Sequence, residues 1–378
     1  MEYFGQFVSN TCAGSANQLI FSTEGDKLTT GRVFYKVNVG GELDYSFLFS
    51  NIIDSTFNDG SISHNNLVCD QWFIGGARVG KCKEIPPLSD MSKLSVSDDG
   101  DADIRVTELK ELSFGGHKEK WVMPGEFFFS DPISLRLESG EYLCLELSFS
   151  GNMIPYHEES LLPIFIKDGD SWRYSKKMPL ASMVGCKRDV SARIGYLGDS
   201  ITQGIGTRCN SYLHWNALLS EKLGDEYSYW NLGIGYGRAS DAASDGAWLF
   251  KAKACDIIFV CFGTNDILQG HSEEKIKDDI TRITKLLKAA GKTVVLQTLP
   301  PFDYVGENVL KWQRINDFIK TSLSDIADLI FDIAPLLEVE GKPGAAKFGD
   351  HPNEDGCAVW ADELFLAAKD LVHSFKKA

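Results

Sequence analysis

The sequence Ile194-Gly195-Tyr196-Leu197-Gly198-Asp199-Ser200 is a short apolar run that ends in Gly-Asp-Ser, and a segment compatible with a helix follows it. This order predicts a buried strand, a tight turn and a helix, with the Ser200 hydroxyl at the C-terminal end of the strand. N–H groups at the start of a helix favour developing negative charge, which suits a serine nucleophile. Gly-Asp-Ser is also a common turn sequence, so the tripeptide alone leaves both interpretations open.

Strand and helix signals alternate from Arg193 to the C-terminus. Helical stripes separate apolar segments with strand character, at residues 193–197, 227–232, 256–262, 293–298 and 328–332. This alternation predicts a parallel five-stranded sheet covered by helices on both faces. In a sheet of order 2-1-3-4-5, the C-terminal ends of the first and third strands flank the point where ligands bind.

The chain before residue 185 has the period-two alternation of β-strands and no convincing helical stripe. The alternation predicts two hairpins, one turning at Gly40-Gly41 and the other at Ser139-Gly140. Several such strands predict a β-sandwich or jelly roll. We therefore expect an all-β domain at residues 1–185, which is a candidate for contact with carbohydrate, followed by an α/β domain at residues 186–378.

Composition narrows the possible partners and compartment. The net charge of -15 argues against a nucleic-acid partner, and no apolar run is long enough to span a membrane. The nine cysteines are scattered without a CxxC pair, which favours reduced thiols over disulfides or a zinc site. Residues 1–5 lack the start of a signal peptide, so we expect a cytoplasmic protein, with secretion still open if a signal was removed. The acidic residues 98–103 are interpreted as a solvated turn, and no metal or cofactor is expected.

Three further sequence patches follow predicted strands. The glycines in residues 233–237 let the backbone approach a ligand closely, although a tight turn or a loose dinucleotide fingerprint are competing interpretations. The Asn265 amide is a possible donor to an oxyanion, whereas Asp266 could simply cap a helix. His351 follows the last strand and precedes Pro352, so its imidazole should lie at the same edge of the sheet as Ser200.

These patches together resemble those of the GDSL-type, or SGNH, hydrolase superfamily, which is named for Ser, Gly, Asn and His in four blocks. The resemblance implies a flavodoxin-like three-layer α/β fold and an esterase, lipase, carbohydrate deacetylase or thioesterase activity. It also implies that Ser200 is the nucleophile and His351 the general base. The implied oxyanion hole consists of the Ser200 N–H, a glycine N–H and Asn265. The first half is similar to the β-rich N-terminal domain of some two-domain members.

The sequence departs from the family pattern at two positions. The aspartate that usually orients the histidine lies three residues before it, but Phe348 occupies that position and Asp350 is adjacent to His351. The site is therefore either a Ser–His dyad or a triad completed by Asp350. Tyr236 occupies the usual glycine position of the second block, so Gly235 or Gly237 has to supply the oxyanion N–H, and we favour Gly235.

The resulting expectation is a serine ester hydrolase that acts through an acyl-serine intermediate, on short acyl groups such as acetyl, possibly on carbohydrates. Tyr236 and Arg208 lie close in sequence to the catalytic blocks and are candidate substrate-pocket residues. The alternatives are a lipase or thioesterase with a longer acyl pocket, an acyltransferase, and a non-catalytic carbohydrate-binding protein with a degenerate hydrolase domain. The expected partner is a small-molecule or carbohydrate ester, and the oligomeric state is not indicated.

Overall fold

The computed structural model describes residues 4–25, 27–58, 62–98 and 102–375. Residues 99–101, in the middle of the acidic loop at residues 98–103, and residues 1–3 lie outside this range. In the described part, the N-terminal region is built almost entirely of β-strands and the C-terminal region alternates strands with helices.

The strands of the β-rich region form two main antiparallel sheets. One has the order β1-β18-β4-β12, with β13 also paired to β4, and the other has the order β10-β7-β14-β3-β16-β17, with β11 also paired to β7. A short 3₁₀ helix at Met91–Lys93 interrupts the strands. The strand bounds in this region are β1 (Val8–Ser9), β2 (Leu19–Phe21), β3 (Thr29–Lys36), β4 (Gly41–Ser50), β5 (Thr56–Asn58), β6 (Ile62–His64), β7 (Trp72–Cys82), β8 (Val96–Ser97), β9 (Ile104–Arg105), β10 (Thr107–Leu112), β11 (Lys120–Val122), β12 (Phe127–Phe129), β13 (Ile133–Leu137), β14 (Tyr142–Gly151), β15 (Ile154–Tyr156), β16 (Ile164–Asp168), β17 (Ser171–Tyr174) and β18 (Met183–Cys186).

The two predicted hairpins are wrong. β3 and β4 belong to different sheets, and so do β13 and β14, so each glycine-containing segment crosses between the two sheets. The crossings lie side by side, because the Gly140 N–H donates to the Val37 carbonyl and a Cβ on Gly40 would lie 2.5 Å from the Ser139 nitrogen. A strand that packs one face on a core alternates in the same way whether its neighbour in sequence pairs beside it or lies across the core. The alternation therefore predicted the strands but not their pairing.

The C-terminal region contains the predicted parallel sheet. Its strand order is β20-β19-β21-β22-β23, which is the expected order 2-1-3-4-5. The elements are β19 (Ala192–Gly198), α1 (Ser200–Gln203), α2 (Trp215–Leu223), β20 (Tyr227–Asn231), α3 (Ala239–Ala242), α4 (Ala247–Ala252), β21 (Ile257–Cys261), α5 (Thr264–Leu268), α6 (Glu273–Ala289), β22 (Thr293–Gln297), α7 (Glu307–Ser322), β23 (Leu329–Phe331), α8 (Ala334–Leu337) and α9 (Glu354–His373). The flavodoxin-like three-layer fold is thus confirmed.

The two regions are joined by backbone pairing as well as by side chains. β1 pairs with β18, and the next residue, Asn10, forms a parallel bridge with Tyr229 in the edge strand β20. One hydrophobic cluster contains buried residues from both regions. Backbone and side-chain contacts between the two regions are continuous. The expected domain boundary near residue 185 therefore stays a prediction.

A buried ion pair also crosses between the regions. The Lys251 Nζ lies 2.6 and 2.9 Å from the two carboxylate oxygens of Asp54, and both side chains are fully buried. Asp54 additionally accepts a hydrogen bond from the Asn17 N–H at 2.9 Å. This pair fixes α4 against the β-rich region.

All nine cysteine thiols are free and buried. Among the helices in the described ranges, none combines the length and apolar character needed to cross a membrane. Within the same ranges, no group of three or more His, Cys, Asp or Glu side chains is arranged to hold a metal ion.

Candidate active site

Ser200 is the first residue of α1, and only Asp199 separates it from the end of β19. The Asp199 side chain caps the helix by accepting a hydrogen bond from the Ile201 N–H at 3.0 Å. Gly198 is required at the strand end, because a Cβ there would lie 2.1 Å from the Thr202 Oγ1 and 2.6 Å from the Cys261 carbonyl oxygen. The Ser200 side chain is thus held at the C-terminal edge of the sheet, where the sequence pattern predicted it.

The structure brings His351 to Ser200 across 151 sequence positions. The His351 Nε2 lies 2.9 Å from the Ser200 Oγ, which is a hydrogen-bonding distance. The ring of Phe302 packs edge-to-face on the imidazole, with 5.1 Å between the ring centroids. His351 lies in the loop before α9, and the cap of that helix is Asn353, so Pro352 precedes the helix and does not lie in its first turn. A serine hydroxyl in contact with an imidazole nitrogen is the arrangement that nucleophilic catalysis requires.

The Asp350 carboxylate lies close to two nitrogens of His351, the backbone nitrogen and the ring Nδ1. Its Oδ1 accepts the His351 backbone N–H at 2.6 Å and lies 3.4 Å from Nδ1. The Asp350 side chain is 56% exposed, so water screens its charge. This geometry places a carboxylate near the imidazole without burying it.

We expect Asp350→Ala to lower kcat/KM by less than about tenfold, because an exposed ion pair is worth only about 0 to 1 kcal/mol. Loss of a buried orienting aspartate in a serine protease triad costs about 10⁴-fold, so steady-state kinetics on a p-nitrophenyl ester will separate a dyad from a triad. Asp355→Ala, at an exposed position near the same loop, is the matched control. A loss near 10⁴-fold for Asp350→Ala alone will contradict the dyad.

The carboxyl group of Asp199 is fully buried beside the nucleophile. Burial, together with the nearby charge of Asp266 and against the effect of the hydrogen bond from the Ile201 N–H, raises its pKa from 3.8 to about 7. The folded protein therefore keeps the Asp199 proton at pH values where the unfolded chain has released it. The stability from this group is complete below pH 3.8 and is lost as the pH rises to about 7.

We expect Asp199→Asn, which keeps an oxygen to cap Ile201, to be more stable than the wild type at pH 8. The gain should be roughly 2 to 4 kcal/mol, since one pKa unit corresponds to about 1.4 kcal/mol, and should shrink towards zero near pH 4. Denaturant unfolding at pH 4.5 and pH 8 measures both values. Asp170→Asn, at an exposed position, serves as the control. An equal gain at both pH values will show that Asp199 does not titrate as described.

The glycine-containing segment at residues 233–237 lies against the start of α1. The Ile234 N–H donates to the Gly198 carbonyl at 3.2 Å, and a Cβ on Gly233 would lie 2.1 Å from the Gln203 nitrogen. The Gly237 N–H donates to the Ile234 carbonyl within the turn, so it points away from any oxyanion. Between Gly235 and Gly237, this leaves Gly235 as the better candidate for the oxyanion N–H.

Asn265 is the second residue of α5, at the end of β21. Its side chain is 8% exposed, and its Nδ2 donates to the Gly237 carbonyl at 2.9 Å. A side-chain amide nitrogen carries two hydrogens, so one remains for a ligand. Asp266 is fully buried and accepts the Ala239 N–H at 2.8 Å, so it caps α3 rather than its own helix. The Asn265 side chain is therefore fixed beside the glycine turn.

The two candidate pocket residues have different surroundings. Arg208 forms a two-point ion pair with Glu354, at 2.9 and 3.0 Å, near the start of α9. Tyr236 is 45% exposed and has a φ of 60°. Its phenol pKa is raised, mainly by the negative charge of Glu159. Contact of either residue with a substrate stays a prediction.

Two buried histidines lie near this region but have environments unsuited to proton transfer. Burial lowers the pKa of His157 to about 3 and that of His214 to about 4, so both are neutral at physiological pH. His214 shares a short hydrogen bond of 2.6 Å with the Asn216 side chain. Their roles are consistent with packing rather than with acid–base chemistry.

Sequence reasoning missed three residues that contact the site. Phe302 packs on His351, while Gln18 and Glu159 reach the glycine turn from the β-rich region. None of them lies in a motif, and Gln18 and Glu159 are 141 positions apart. No pattern in the sequence connects them to the catalytic blocks.

A family model matches part of this chain. Residues 196–359 match the model of the GDSL-like Lipase/Acylhydrolase family, a range that includes Ser200, Asn265 and His351. No match was found among curated proteins.

Solved structures similar to this chain align with a little under half of it. A lipolytic protein of the G-D-S-L family from Desulfitobacterium hafniense is 16% identical, with 46% of this chain and 98% of that chain covered and a TM-score of 0.39. TesA is 21% identical, with 47% of this chain and 99% of that chain covered and a TM-score of 0.38. An acetyl xylan esterase is 19% identical, with 46% of this chain and 98% of that chain covered and a TM-score of 0.37.

Proposed function

We propose that this protein, whose residues 196–359 carry a GDSL-like lipase/acylhydrolase domain, hydrolyses carboxylic esters through an acyl-serine intermediate. The observation that carries the proposal is the 2.9 Å contact between the Ser200 Oγ and the His351 Nε2. An unassisted serine hydroxyl is a weak nucleophile, and a neighbouring imidazole that can take its proton makes it an effective one.

In the proposed reaction, Ser200 Oγ attacks the ester carbonyl carbon while His351 Nε2 takes the hydroxyl proton. The carbonyl π electrons move to oxygen, and the Ser200 N–H, the Gly235 N–H and the free Asn265 amide hydrogen stabilise the oxyanion. Collapse of this intermediate breaks the ester bond, and His351 gives the proton to the leaving alcohol. His351 then takes a proton from water, which attacks the acyl-serine; the acyl–oxygen bond breaks, the acid is released, and His351 returns the proton to the Ser200 Oγ.

We further propose short acyl groups, such as acetyl, on a polar alcohol such as a carbohydrate. The side chains that remain at least partly exposed beside the glycine turn and α1 include the polar groups of Glu159, Tyr236 and Arg208. A long acyl chain needs an extended apolar surface, whereas carboxylate, phenol and guanidinium groups can hydrogen-bond the hydroxyls of a sugar. These surroundings favour a hydrophilic ester over a lipid.

A chain-length series of p-nitrophenyl esters, from acetate to dodecanoate, tests this proposal. We expect kcat/KM for acetate to exceed that for octanoate by about tenfold or more, because a longer acyl chain would displace water from polar groups without replacing their hydrogen bonds. Release of acetate from acetylated oligosaccharides, with Ser200→Ala as the blank, tests whether the alcohol part of the substrate is a carbohydrate. A preference for the longer esters will favour a lipase or thioesterase. If none of the esters is hydrolysed, the result will favour a non-catalytic protein.

A further inference from the structure

The glycine turn has a backbone conformation that needs outside support. The Gly237 N–H donates to the Ile234 carbonyl at 3.1 Å, and Tyr236, at the third position of this turn, has a φ of 60°. A positive φ at that position is the feature of a type II turn, where glycine or asparagine is usual. Type I and type II turns differ in the direction of the middle peptide, here the one joining Gly235 to Tyr236. Something has to hold this peptide in the type II orientation.

Gln18 of the β-rich region supplies that support. Its Nε2 donates to the Gly235 carbonyl at 3.2 Å and to the Glu159 carboxylate at 2.8 Å, while its Oε1 accepts the Glu159 N–H at 3.2 Å. The Gln18 side chain is 1% exposed, so these bonds have little competition from water. In a trans peptide the carbonyl and the N–H point in opposite directions. The bond to the Gly235 carbonyl therefore fixes the plane of the peptide that joins Gly235 to Tyr236, and it anchors Gly235, whose own N–H is the candidate oxyanion donor.

Glu159 contacts both sides of the candidate active site. A Cβ on Gly235 would lie 1.5 Å from the Glu159 Oε2, so the carboxylate rests directly on the backbone of the turn. The Glu159 carbonyl accepts a hydrogen bond from the Gln203 Nε2 at 2.6 Å. Gln203 is the last residue of α1, whose first residue is Ser200. One residue of the β-rich region thus links the glycine turn to the helix of the nucleophile.

We infer that Gln18 and Glu159 are positioning residues for the oxyanion hole, so that the β-rich region is part of the catalytic apparatus rather than a separate binding module. The inference rests on the proposed ester hydrolysis. Their hydrogen bonds set the spacing between the glycine turn and α1, which carry two of the oxyanion donors. Donors of this kind act when charge develops in the transition state, so misplacing them lowers kcat more than it raises KM.

Three variants at the neighbouring residues Glu158 and Glu159 test the expected effect on kcat and KM. We expect Glu159→Ala to lower kcat on p-nitrophenyl acetate by about 10- to 100-fold with KM changed by less than about threefold, as for a weakened oxyanion donor. Glu159→Gln keeps an oxygen for the Gln18 amide and should stay within about threefold of the wild-type kcat. Glu158→Ala, at the adjacent exposed position, is the matched control and should behave as wild type. An equal loss in Glu159→Ala and Glu158→Ala, or in Glu159→Ala and Glu159→Gln, will overturn the inference.

Amide hydrogen exchange of a peptide that covers residues 233–237 tests the structural part without any substrate. We expect faster exchange in Glu159→Ala and in Gln18→Met, and wild-type exchange in Glu158→Ala and in Gln71→Met, which replaces an exposed glutamine. Unchanged exchange in both test variants will overturn the inference, as will faster exchange that leaves kcat at the wild-type value. Full activity of Ser200→Ala will instead refute the proposed function, whatever the exchange rates are.

Discussion

Ser200→Ala is expected to lower kcat/KM on p-nitrophenyl acetate by about 10⁴-fold or more, the size of effect seen when a catalytic serine is removed from hydrolases that form an acyl-enzyme. The Ser200 hydroxyl lies at the start of α1 in contact with the His351 Nε2, and alanine there leaves no atom to form the acyl bond. His351→Ala should cause a loss of similar size, because the serine then has no base.

The double variant sharpens the same test. Residues that act as one unit are not additive, so Ser200→Ala combined with His351→Ala should be no worse than either alone within about threefold. Ser324→Ala and His117→Ala replace exposed residues of the same types and should retain wild-type kinetics. Circular dichroism and the thermal midpoint establish that each variant is folded. Wild-type activity in folded Ser200→Ala or His351→Ala will refute the proposed mechanism.

Lys251→Met is expected to lower the free energy of unfolding by about 3 to 5 kcal/mol, the usual cost of leaving one partner of a buried ion pair alone. The variant removes the charge that compensates the Asp54 carboxylate at the junction of the two regions, where both side chains are fully buried. Denaturant unfolding measures the change.

Removing both charges of the Asp54–Lys251 pair should lower the free energy of unfolding less than removing the lysine charge alone. Asp54→Asn combined with Lys251→Met leaves an amide oxygen to accept the Asn17 N–H, so we expect it to recover at least half of the loss. Lys222→Met breaks an exposed pair with Asp362 and should change the stability by less than about 1 kcal/mol. If Lys251→Met and Lys222→Met have equal effects, the buried pair does not support the junction.

The sequence predicted the α/β region well because its elements have local signals. The strand at residues 192–198 is a short apolar run, and the helix at residues 273–289 has an apolar stripe between a serine cap and Gly291. Order and position along the sheet then follow from the rules for parallel strands. The same rules predicted that Ser200 and His351 would lie at one edge of the sheet, and the structure places them in contact. Their catalytic roles stay predictions.

Strand pairing in the β-rich region and the contacts of Gln18 and Glu159 could not be predicted in this way. Apolar alternation reports which face of a strand is buried and says nothing about whether the next strand lies beside it or across the core. A buried glutamine far from any motif has no periodic signal, and its partner Glu159 is 141 positions away. Such contacts depend on how the two regions meet, which is a property of the completed fold.

The pairing of the first strand has a consequence for the order of folding during synthesis. β1 pairs with β18, and Asn10 bridges to Tyr229 in β20, so these residues acquire their partners long after they have left the ribosome. At about 5 to 20 residues per second, roughly 10 to 40 s separate the synthesis of Asn10 and Tyr229. Until β18 has been synthesised, β1 has no strand to join, and the bridge from Asn10 to β20 forms later still. The bridge that joins this segment to the sheet carrying the nucleophile can therefore form only after synthesis has passed into that sheet.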